Sequence, residues 1–252
     1  ELINNDRIIG GVTAYCAESA RELYKIFVKA DCLMTDCRTA ELSKLVENSF
    51  RDVNIAFANE LSLICDKLNI NVWELIKLAN HHPRVNILRP GPGVGGHCIA
   101  VDPWFIVNSA PDEARLIRVA RLVNNSKPQF VLEKINKAVT ATGKEKSDLK
   151  IACLGLAFKP NINDLRESPA LEIAQQVGLM GFTKQYLVEP NIDEMPTGFD
   201  SQNTELVDLR IALKDANVVV LLVDHAPFKA LDLGLLVGKK VVDTRGIWVS
   251  CA

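Results

Sequence analysis

Apolar residues recur at helical spacing through the first half of the chain. From Thr39 to Leu68 they follow one another every three or four positions, with no Gly or Pro between. At a rise of about 1.5 Å per residue, this pattern predicts one helix roughly 45 Å long. Such a helix exposes more apolar surface than one small domain covers, so we expect it to link domains and to carry a homodimer interface.

Shorter helical patterns flank the long one. A helical stretch at 17–30 leads into a short apolar piece at 32–35, and further helices are predicted at 71–80 and about 113–139. The segment between them, 81–104, is too rich in Gly and Pro for a helix and too apolar for a disordered linker.

Beyond the polar stretch TGKEKSD the pattern changes to short β-branched runs that alternate with helical patterns. The predicted strands are Ile151–Gly155, Gln185–Glu189, Asn217–Asp224 and Lys240–Asp243, and the predicted helices lie near 168–180 and 204–215. Continuous apolar strands alternating with helices predict an α/β fold, a parallel sheet covered by helices on both faces. We place a domain boundary at Lys144–Asp148.

Charge and hydropathy narrow the functional classes. The 252 residues carry 29 Lys and Arg against 31 Asp and Glu, so the chain lacks the basic excess that binds nucleic acid or an anionic membrane surface. The longest strongly apolar run, Val218–Val223, is far shorter than the roughly 20 residues of a membrane helix. The N-terminal residues ELINNDR show no signal-peptide pattern. We therefore expect no membrane partner.

The seven cysteines are an odd number, scattered and without CxxC or Cys/His metal spacing. This usage predicts reduced thiols in a cytoplasmic protein, most of them acting as small buried hydrophobes, and no metal site.

A glycine-rich segment precedes one of these cysteines. Residues 91–98 read GPGVGGHC, with four glycines ahead of Cys98. Glycines let backbone N–H groups approach a bound oxygen and leave a thiol uncrowded, as a nucleophile requires. The alternative is a tight turn in which Cys98 only packs, and composition favours it at least equally, because a lone cysteine is more often buried than reactive.

Three polar residues share one stripe of the long predicted helix. Lys44 and Asn48 are four residues apart, and Arg51 lies at the next turn. Together they could surround an anionic reaction centre. The alternative, which the residues alone favour, is a solvated polar face.

Three segments resemble those of the UDP-sugar 6-dehydrogenases, the UDP-glucose dehydrogenase superfamily. GPGVGGHCIAVDPW resembles the family's cysteine loop, AELSKLVENSFRDVNIAFANEL its central helix, and GLAFKPNINDLRESPA the opening of its C-terminal domain. The motifs occur in the family's order and the resemblance covers essentially the whole chain. Within the family, GVGGHCIAVDPWFIV and HHPRVNILRPGPG are most similar to the branch that oxidises UDP-N-acetylmannosamine.

The resemblance implies three regions. Residues 1–38 would be the remnant of an N-terminal nucleotide-binding domain whose NAD fingerprint precedes the chain. Residues 39–147 would form a central helical domain for dimerisation and the catalytic loop, and residues 148–252 a Rossmann-like UDP-binding domain. The implied reaction is a four-electron oxidation of the sugar C6 alcohol to a carboxylate by two NAD molecules.

The resemblance also implies catalytic roles. Cys98 would hold the intermediate as a thiohemiacetal and then a thioester, and Lys44 would act as general acid/base or oxyanion stabiliser. Asn48 would hold water or the oxyanion, and Asp102 would orient Lys44 and assist hydrolysis. The residue types suit these roles, since a thiolate can trap an aldehyde and then leave from a thioester.

Further positions match the family's binding residues. The implied substrate contacts are Arg51, His82, Arg84, Gly95, Phe158, Lys159 and Arg245. Of these, Arg245 would reach UDP from the partner subunit, and Arg166 would reach the cofactor. An alternative for His82 is that His-His-Pro caps the preceding helix.

One departure limits the cofactor site. The turn Gly155–Pro160 reads GLAFKP, without the GxGxxG that places a pyrophosphate on a helix N-terminus, so this half is not the dinucleotide domain. The alternatives left open are a UDP-N-acetylglucosamine or UDP-glucose 6-dehydrogenase and, for this chain alone, a UDP-binding dimerisation module without catalysis.

Overall fold

The computed structural model describes residues 2–248. The helices are α1 (Ala14–Lys25), α2 (Cys37–Leu68), α3 (Val72–Ala79), α4 (Asp102–Ser109), α5 (Arg115–Thr140), α6 (Pro169–Gly178), α7 (Leu209–Asp215) and α8 (Ala226–Lys229). The strands are β1 (Arg7–Gly11), β2 (Cys32–Asp36), β3 (Lys150–Leu154), β4 (Lys184–Val188), β5 (Thr204–Leu206), β6 (Val218–Leu221) and β7 (Lys240–Asp243). Short 3-10 turns lie at Lys146–Asp148 and Leu233–Leu236.

Helix α2 spans 32 residues and matches the long helix that the apolar spacing predicts. It begins where the Asp36 carboxylate accepts hydrogen bonds from the N–H groups of Arg38 and Thr39, which satisfies two donors of the first turn. It ends at Asn69, whose left-handed backbone (φ 57°) stops the helix. Within residues 2–248 no helix, α2 included, combines the length and apolarity that a membrane span needs.

The C-terminal sheet has the order β5-β4-β3-β6-β7, and all its pairs are parallel. The predicted α/β fold with a parallel sheet is therefore confirmed. The chain runs outward from β3 to β5 and then returns to the other side of β3, so the direction of winding reverses between β3 and β6. Open sheets of this kind bind ligands at that reversal, beyond the carboxyl ends of the strands.

Apolar residues cover both faces of this sheet. On one face, Val131, Ile135 and Val139 of α5 pack with α6 against β3 and β6. On the other face, α7, Phe228 and Trp248 pack against alternate residues of the same strands. Because α5 also packs along α2, one helix joins the central helices to the sheet.

Two expectations from the sequence are wrong. The helix predicted at 204–215 begins only at Leu209, because Thr204–Leu206 pairs with the free edge of β4 as strand β5. The cysteines are not mostly buried. Of the six described, only Cys65 and Cys153 are buried, and the seventh, Cys251, lies outside the described residues.

Candidate functional site

A buried polar network joins α2 to α5 and anchors the glycine loop. The Asp52 carboxylate accepts hydrogen bonds from Arg121 (2.6 Å) and Asn124 (2.8 Å). Asn59 donates to the Asn124 side-chain oxygen (2.8 Å) and accepts from the Gly91 N–H (2.9 Å). Burial raises the pKa of Asp52 by more than the Arg121 charge lowers it. The first residue of the loop is thus fixed to the helix pair.

The far end of the glycine loop lies against the C-terminal domain. A Cβ on Gly95 would stand 2.2 Å from the Glu167 carbonyl oxygen, which no side chain tolerates. Gly96 adopts φ +83°, and a Cβ there would meet the Phe158 ring at 3.1 Å. These glycines therefore permit a close approach between the loop and the two C-terminal segments that carry Glu167 and Phe158.

Cys98 follows this contact and is exposed. Its carbonyl oxygen accepts hydrogen bonds from the N–H groups of Val101 (3.1 Å) and Asp102 (2.8 Å), which closes a turn ahead of α4. Asp102 is the first residue of α4, and its carboxylate accepts a hydrogen bond from Asn48 on α2 at 2.5 Å. The structure thus brings Asn48 and Asp102 together beside the cysteine turn.

Lys44 has a different partner from the expected one. Its ammonium lies 3.1 Å from the Glu47 carboxylate on α2, with the Lys44 side chain 64% exposed. The expectation that Asp102 orients Lys44 is not met, because Glu47 is three residues away on the same helix and Asp102 is engaged by Asn48.

A cavity of about 350 Å³ opens beyond the carboxyl ends of β3 and β6, where the winding of the sheet reverses. Its walls combine the glycine loop, α2 and the turn after β3. Five of the sequence-predicted substrate residues line it, namely Arg51, Gly95, Phe158, Lys159 and Arg245. The Lys159 ammonium lies 5.5 Å from the Phe158 ring centroid. Cations from three parts of the chain therefore converge on one space.

Arg245 lines the cavity of its own chain. The contact to UDP from the partner subunit, which the family resemblance implies, concerns a second copy of the chain and stays a prediction. Its guanidinium donates to the Asp224 carboxylate (2.9 Å) and to the Pro90 carbonyl oxygen (3.3 Å), which hold it at the edge of the sheet. Burial alone would raise the pKa of Asp224, but Arg245 and Lys229 bring it below its ordinary value.

Two charged residues of the cavity were missed by the sequence reasoning. Arg89 lines the wall with its guanidinium 5.8 Å from the Trp73 ring, and Asp224 holds Arg245. Both had a signal. Arg89 lies two residues before the glycine-rich segment, and Asp224 follows the buried strand β6, where parallel-sheet sites collect polar residues.

Three predicted contacts lie away from the cavity wall. The His82 N–H donates to the Ala79 carbonyl oxygen and its Nδ1 accepts from the Arg84 N–H (3.3 Å), so His82 closes the turn after α3. Arg166 forms a two-pronged ion pair with Asp164 (2.9 and 2.7 Å), and these hydrogen bonds hold the pKa of that carboxyl well below its usual range.

Neither the glycine loop nor the turn after β3 forms a dinucleotide-binding turn. Gly91, Gly93 and Gly96 have dinucleotide-motif spacing, but no strand leads into them and no helix starts directly after them. The N–H groups of Leu156 and Ala157, in the turn after β3, are already taken by the Glu189 carboxylate. Nor do any three His, Cys, Asp or Glu side chains within residues 2–248 lie where a metal ion could be held.

A cationic cavity at the winding reversal of a parallel sheet is typical of α/β proteins that bind phosphorylated ligands. Two domain models of one family match the chain. The central domain of the UDP-glucose/GDP-mannose dehydrogenase family matches residues 38–126, and its UDP-binding domain matches residues 152–250. The chain belongs to the UDP-glucose/GDP-mannose dehydrogenase family.

Known relatives agree with this membership. Over 98% of this chain, the UDP-N-acetyl-D-mannosamine dehydrogenase of Salmonella typhimurium is 59% identical, and the match covers 60% of that protein. The NDP-N-acetyl-D-galactosaminuronic acid dehydrogenase of Ralstonia nicotianae is 56% identical over 98% of this chain and 57% of its own length. This chain therefore spans about 60% of the length of such relatives.

Among solved structures, the UDP-D-ManNAc dehydrogenase of Pyrococcus horikoshii superposes with a TM-score of 0.87 at 36% identity. That match covers 99% of this chain and 58% of the solved chain. The UDP-N-acetyl-mannosamine dehydrogenase of Staphylococcus aureus gives 0.82 at 41% identity, covering 99% and 57%.

Proposed function

We propose that this chain forms the central and UDP-binding regions of an NAD-dependent dehydrogenase that oxidises C6 of UDP-N-acetylmannosamine to the uronate. The observation that carries the proposal is the lining of the cavity at the sheet. Its wall includes cationic side chains, and it also includes residues 91–95 and Ile99, which flank Cys98. A nucleotide sugar in this cavity would have its sugar end next to the thiol.

The cavity supports a diphosphate ligand through its charges. We assign the diphosphate to Lys159 and Arg245, with Arg51 as a third cation on the wall. The Phe158 ring offers an apolar face to the uracil. A guanidinium can bind two phosphate oxygens at once, and Asp224 orients that of Arg245 for this purpose.

The chemistry of this chain would centre on the sugar C6. In the aldehyde state, the Cys98 thiolate adds to the carbonyl carbon and the carbonyl oxygen becomes the oxyanion of a thiohemiacetal. After oxidation to the thioester, water attacks the same carbon, the C–S bond breaks, and the carboxylate and the thiolate are released. Asn48 and Asp102 would place the water and the oxyanion, and Lys44 would exchange protons with them.

The oxidant would be NAD, as the family resemblance implies. When bound, it would supply the hydride acceptor for both oxidation steps, and most of its binding site would belong to parts of the whole protein other than residues 2–248. Arg166 is the residue of this chain that we assign to a contact with it. Its ion pair with Asp164 would hold the guanidinium in a defined orientation on the exposed surface.

The relatives bear on the C2 substituent of the substrate. Both curated relatives named above act, by their names, on N-acetylated sugars. This favours an N-acetyl group at C2 over the hydroxyl of UDP-glucose. UDP-N-acetylglucosamine and the N-acetylgalactosamine equivalent are the competing substrates, because they differ in configuration and not in the groups available for binding.

The remaining parts of the proposal concern assembly and location. We propose a homodimer through α2, supported by the exposed apolar side chains Leu42, Val46, Phe50, Phe57 and Ile64 along it. We propose a cytoplasmic enzyme, supported by the exposed thiols of Cys16, Cys37 and Cys98. The product would feed polysaccharide synthesis.

Turnover of the whole-length protein tests the function. With UDP-N-acetylmannosamine and NAD, two NADH should form per uronate, at a higher kcat/KM than with UDP-N-acetylglucosamine or UDP-glucose. Cys98→Ala should abolish uronate formation and leave UDP-sugar affinity within a few-fold. Cys16→Ala, another exposed thiol, is the matched control and should remain active. Normal turnover by Cys98→Ala, or UDP binding without any NADH in the parent protein, would overturn the proposal.

A further inference from the structure

Two buried ionisable side chains meet behind the wall of the cavity. Glu189 directly follows β4, and His225 directly precedes α8. Both side chains are fully buried, and His225 Nε2 lies 3.0 Å from Glu189 Oε2. Neither residue lines the cavity, so neither can touch a ligand there.

Glu189 holds one end of the turn after β3. Its Oε2 accepts hydrogen bonds from the N–H groups of Leu156 (2.7 Å) and Ala157 (3.0 Å). Its Oε1 accepts from the backbone and side chain of Asn191 (3.2 and 2.9 Å). Burial alone would raise the pKa of Glu189, but the hydrogen bonds from His225, Leu156 and Asn191 bring it below its ordinary value. The carboxylate is therefore ionised at neutral pH.

His225 holds the other end. Its Nδ1 accepts a hydrogen bond from the Asn161 N–H (2.9 Å), and the Asn161 side-chain oxygen accepts from the Ala226 N–H (2.9 Å). A backbone N–H can only donate, so Nδ1 carries no proton and the proton of the neutral ring is on Nε2. From there it points to Glu189. Asn161 has a left-handed backbone (φ 60°), a costly conformation that these two bonds maintain.

We propose that Glu189 and His225 are a positioning pair that fixes residues 156–161, so that Phe158 and Lys159 face the nucleotide cavity. The pair clamps the turn on both sides of Phe158, Lys159 and Pro160. The Glu189 carboxylate also accepts the hydrogen bonds of the Leu156 and Ala157 N–H groups, which could otherwise bind a phosphate. These two N–H groups are then not available to the diphosphate. This inference rests on the proposed function for the identity of the ligand.

Two substitutions at His225 test its hydrogen bonds to Asn161 and to Glu189 separately. Asn retains an acceptor near the Nδ1 position and loses the donor to Glu189. Gln retains a donor near the Nε2 position and loses the acceptor for Asn161. The test uses the 252-residue chain, UDP as the probe in calorimetry, and amide hydrogen exchange read residue by residue. His81→Asn, at an exposed histidine, is the matched control.

His225→Asn should speed exchange at Leu156 and Ala157 and leave Asn161 protected, and His225→Gln should do the reverse. Each should weaken UDP about tenfold, as expected for the loss of one hydrogen bond to a charged or buried group. Folded variants with UDP affinity within about twofold of the parent chain, or with unchanged exchange, would overturn the proposal.

Two further outcomes remain decisive. If both His225 variants fail to fold, Asn191→Ala replaces them, because it removes the side-chain hydrogen bonds of the half-buried Asn191 to Glu189 and His225. An unchanged UDP affinity in that variant overturns the proposal. If the parent chain does not bind UDP, the proposed function fails. The exchange pattern of residues 156–161 then decides the positioning role by itself.

Discussion

Asn48 and Asp102 are 54 residues apart in the chain, and their side chains form a hydrogen bond of 2.5 Å. This bond ties the first turn of α4 to α2 and so sets where the preceding Cys98 turn lies. Asn48 is buried, so its amide is held at one point and not shared with bulk solvent. The pair therefore has two roles to test, one in stability and one in catalysis.

Asn48→Ala should leave Asp102 without this partner and lower the free energy of unfolding by about 1–2 kcal/mol. UDP affinity should not change, because Asn48 is not part of the cavity wall. Urea unfolding and calorimetry measure the two quantities. Lys44→Ala is the control on the same helix face, and its exposed ion pair should contribute less than about 0.5 kcal/mol. An Asn48→Ala variant as stable as the parent would mean that the hydrogen bond contributes nothing net.

Lys159→Glu should weaken UDP far more than uridine, because uridine has no phosphates to be repelled. We expect a loss of UDP affinity on the order of 10- to 100-fold, equivalent to about 1.4–2.8 kcal/mol, and a change of less than about threefold for uridine. Calorimetric titration of both ligands measures this. Lys144→Glu, an exposed lysine outside the cavity wall, should change neither. Equal losses for UDP and uridine would show that Lys159 is structural.

Phe50→Glu should convert the proposed dimer to monomers. Phe50 is 70% exposed on α2, and Val46 beside it is 49% exposed, so a carboxylate here would be desolvated in a helix-to-helix interface. Sedimentation velocity at micromolar concentration measures the state. Leu179→Glu, at a leucine 81% exposed beyond α6, should stay dimeric. A parent chain that sediments as a monomer would contradict the assignment of α2 as the interface.

Lys127→Met should stabilise the chain at neutral pH. Burial lowers the pKa of Lys127 from 10.5 to about 8, so between these values the unfolded state binds more protons and stability rises with pH. Below pH 8 the full cost of the buried charge remains, on the order of 3 kcal/mol, less the hydrogen bond to Ser62 that methionine loses.

The gain from Lys127→Met should therefore be largest near pH 7 and shrink towards pH 10, which thermal unfolding across that range measures. Lys137→Met, 72% exposed on the same helix, should show no such pH dependence. A Lys127→Met chain less stable than its parent at pH 7 would show that the ammonium is held favourably.

Local pattern determined much of the fold. The apolar residues at 39–68 keep a helical period throughout, with no Gly or Pro to interrupt it, so the observed bounds of 37–68 follow closely. The alternation of short apolar strands with helices predicts the parallel sheet, because strands covered by helices on both faces are apolar throughout. The glycines before Cys98 are expected to let a bound oxygen approach the backbone, and in the structure Gly95 and Gly96 instead lie against Glu167 and Phe158 with no room for a Cβ.

Tertiary structure alone decided which side chains meet. The family resemblance placed Lys44, Asn48 and Asp102 in one group, yet Lys44 pairs with Glu47 on its own helix and Asp102 with Asn48. Periodicity reports burial and spacing within an element, but it carries no information on which of several compatible polar groups lies within 3 Å after the elements pack. Glu189 and His225 show this most clearly. They are 36 residues apart, beyond the ends of β4 and β6, and only the parallel pairing around β3 brings their buried side chains into contact.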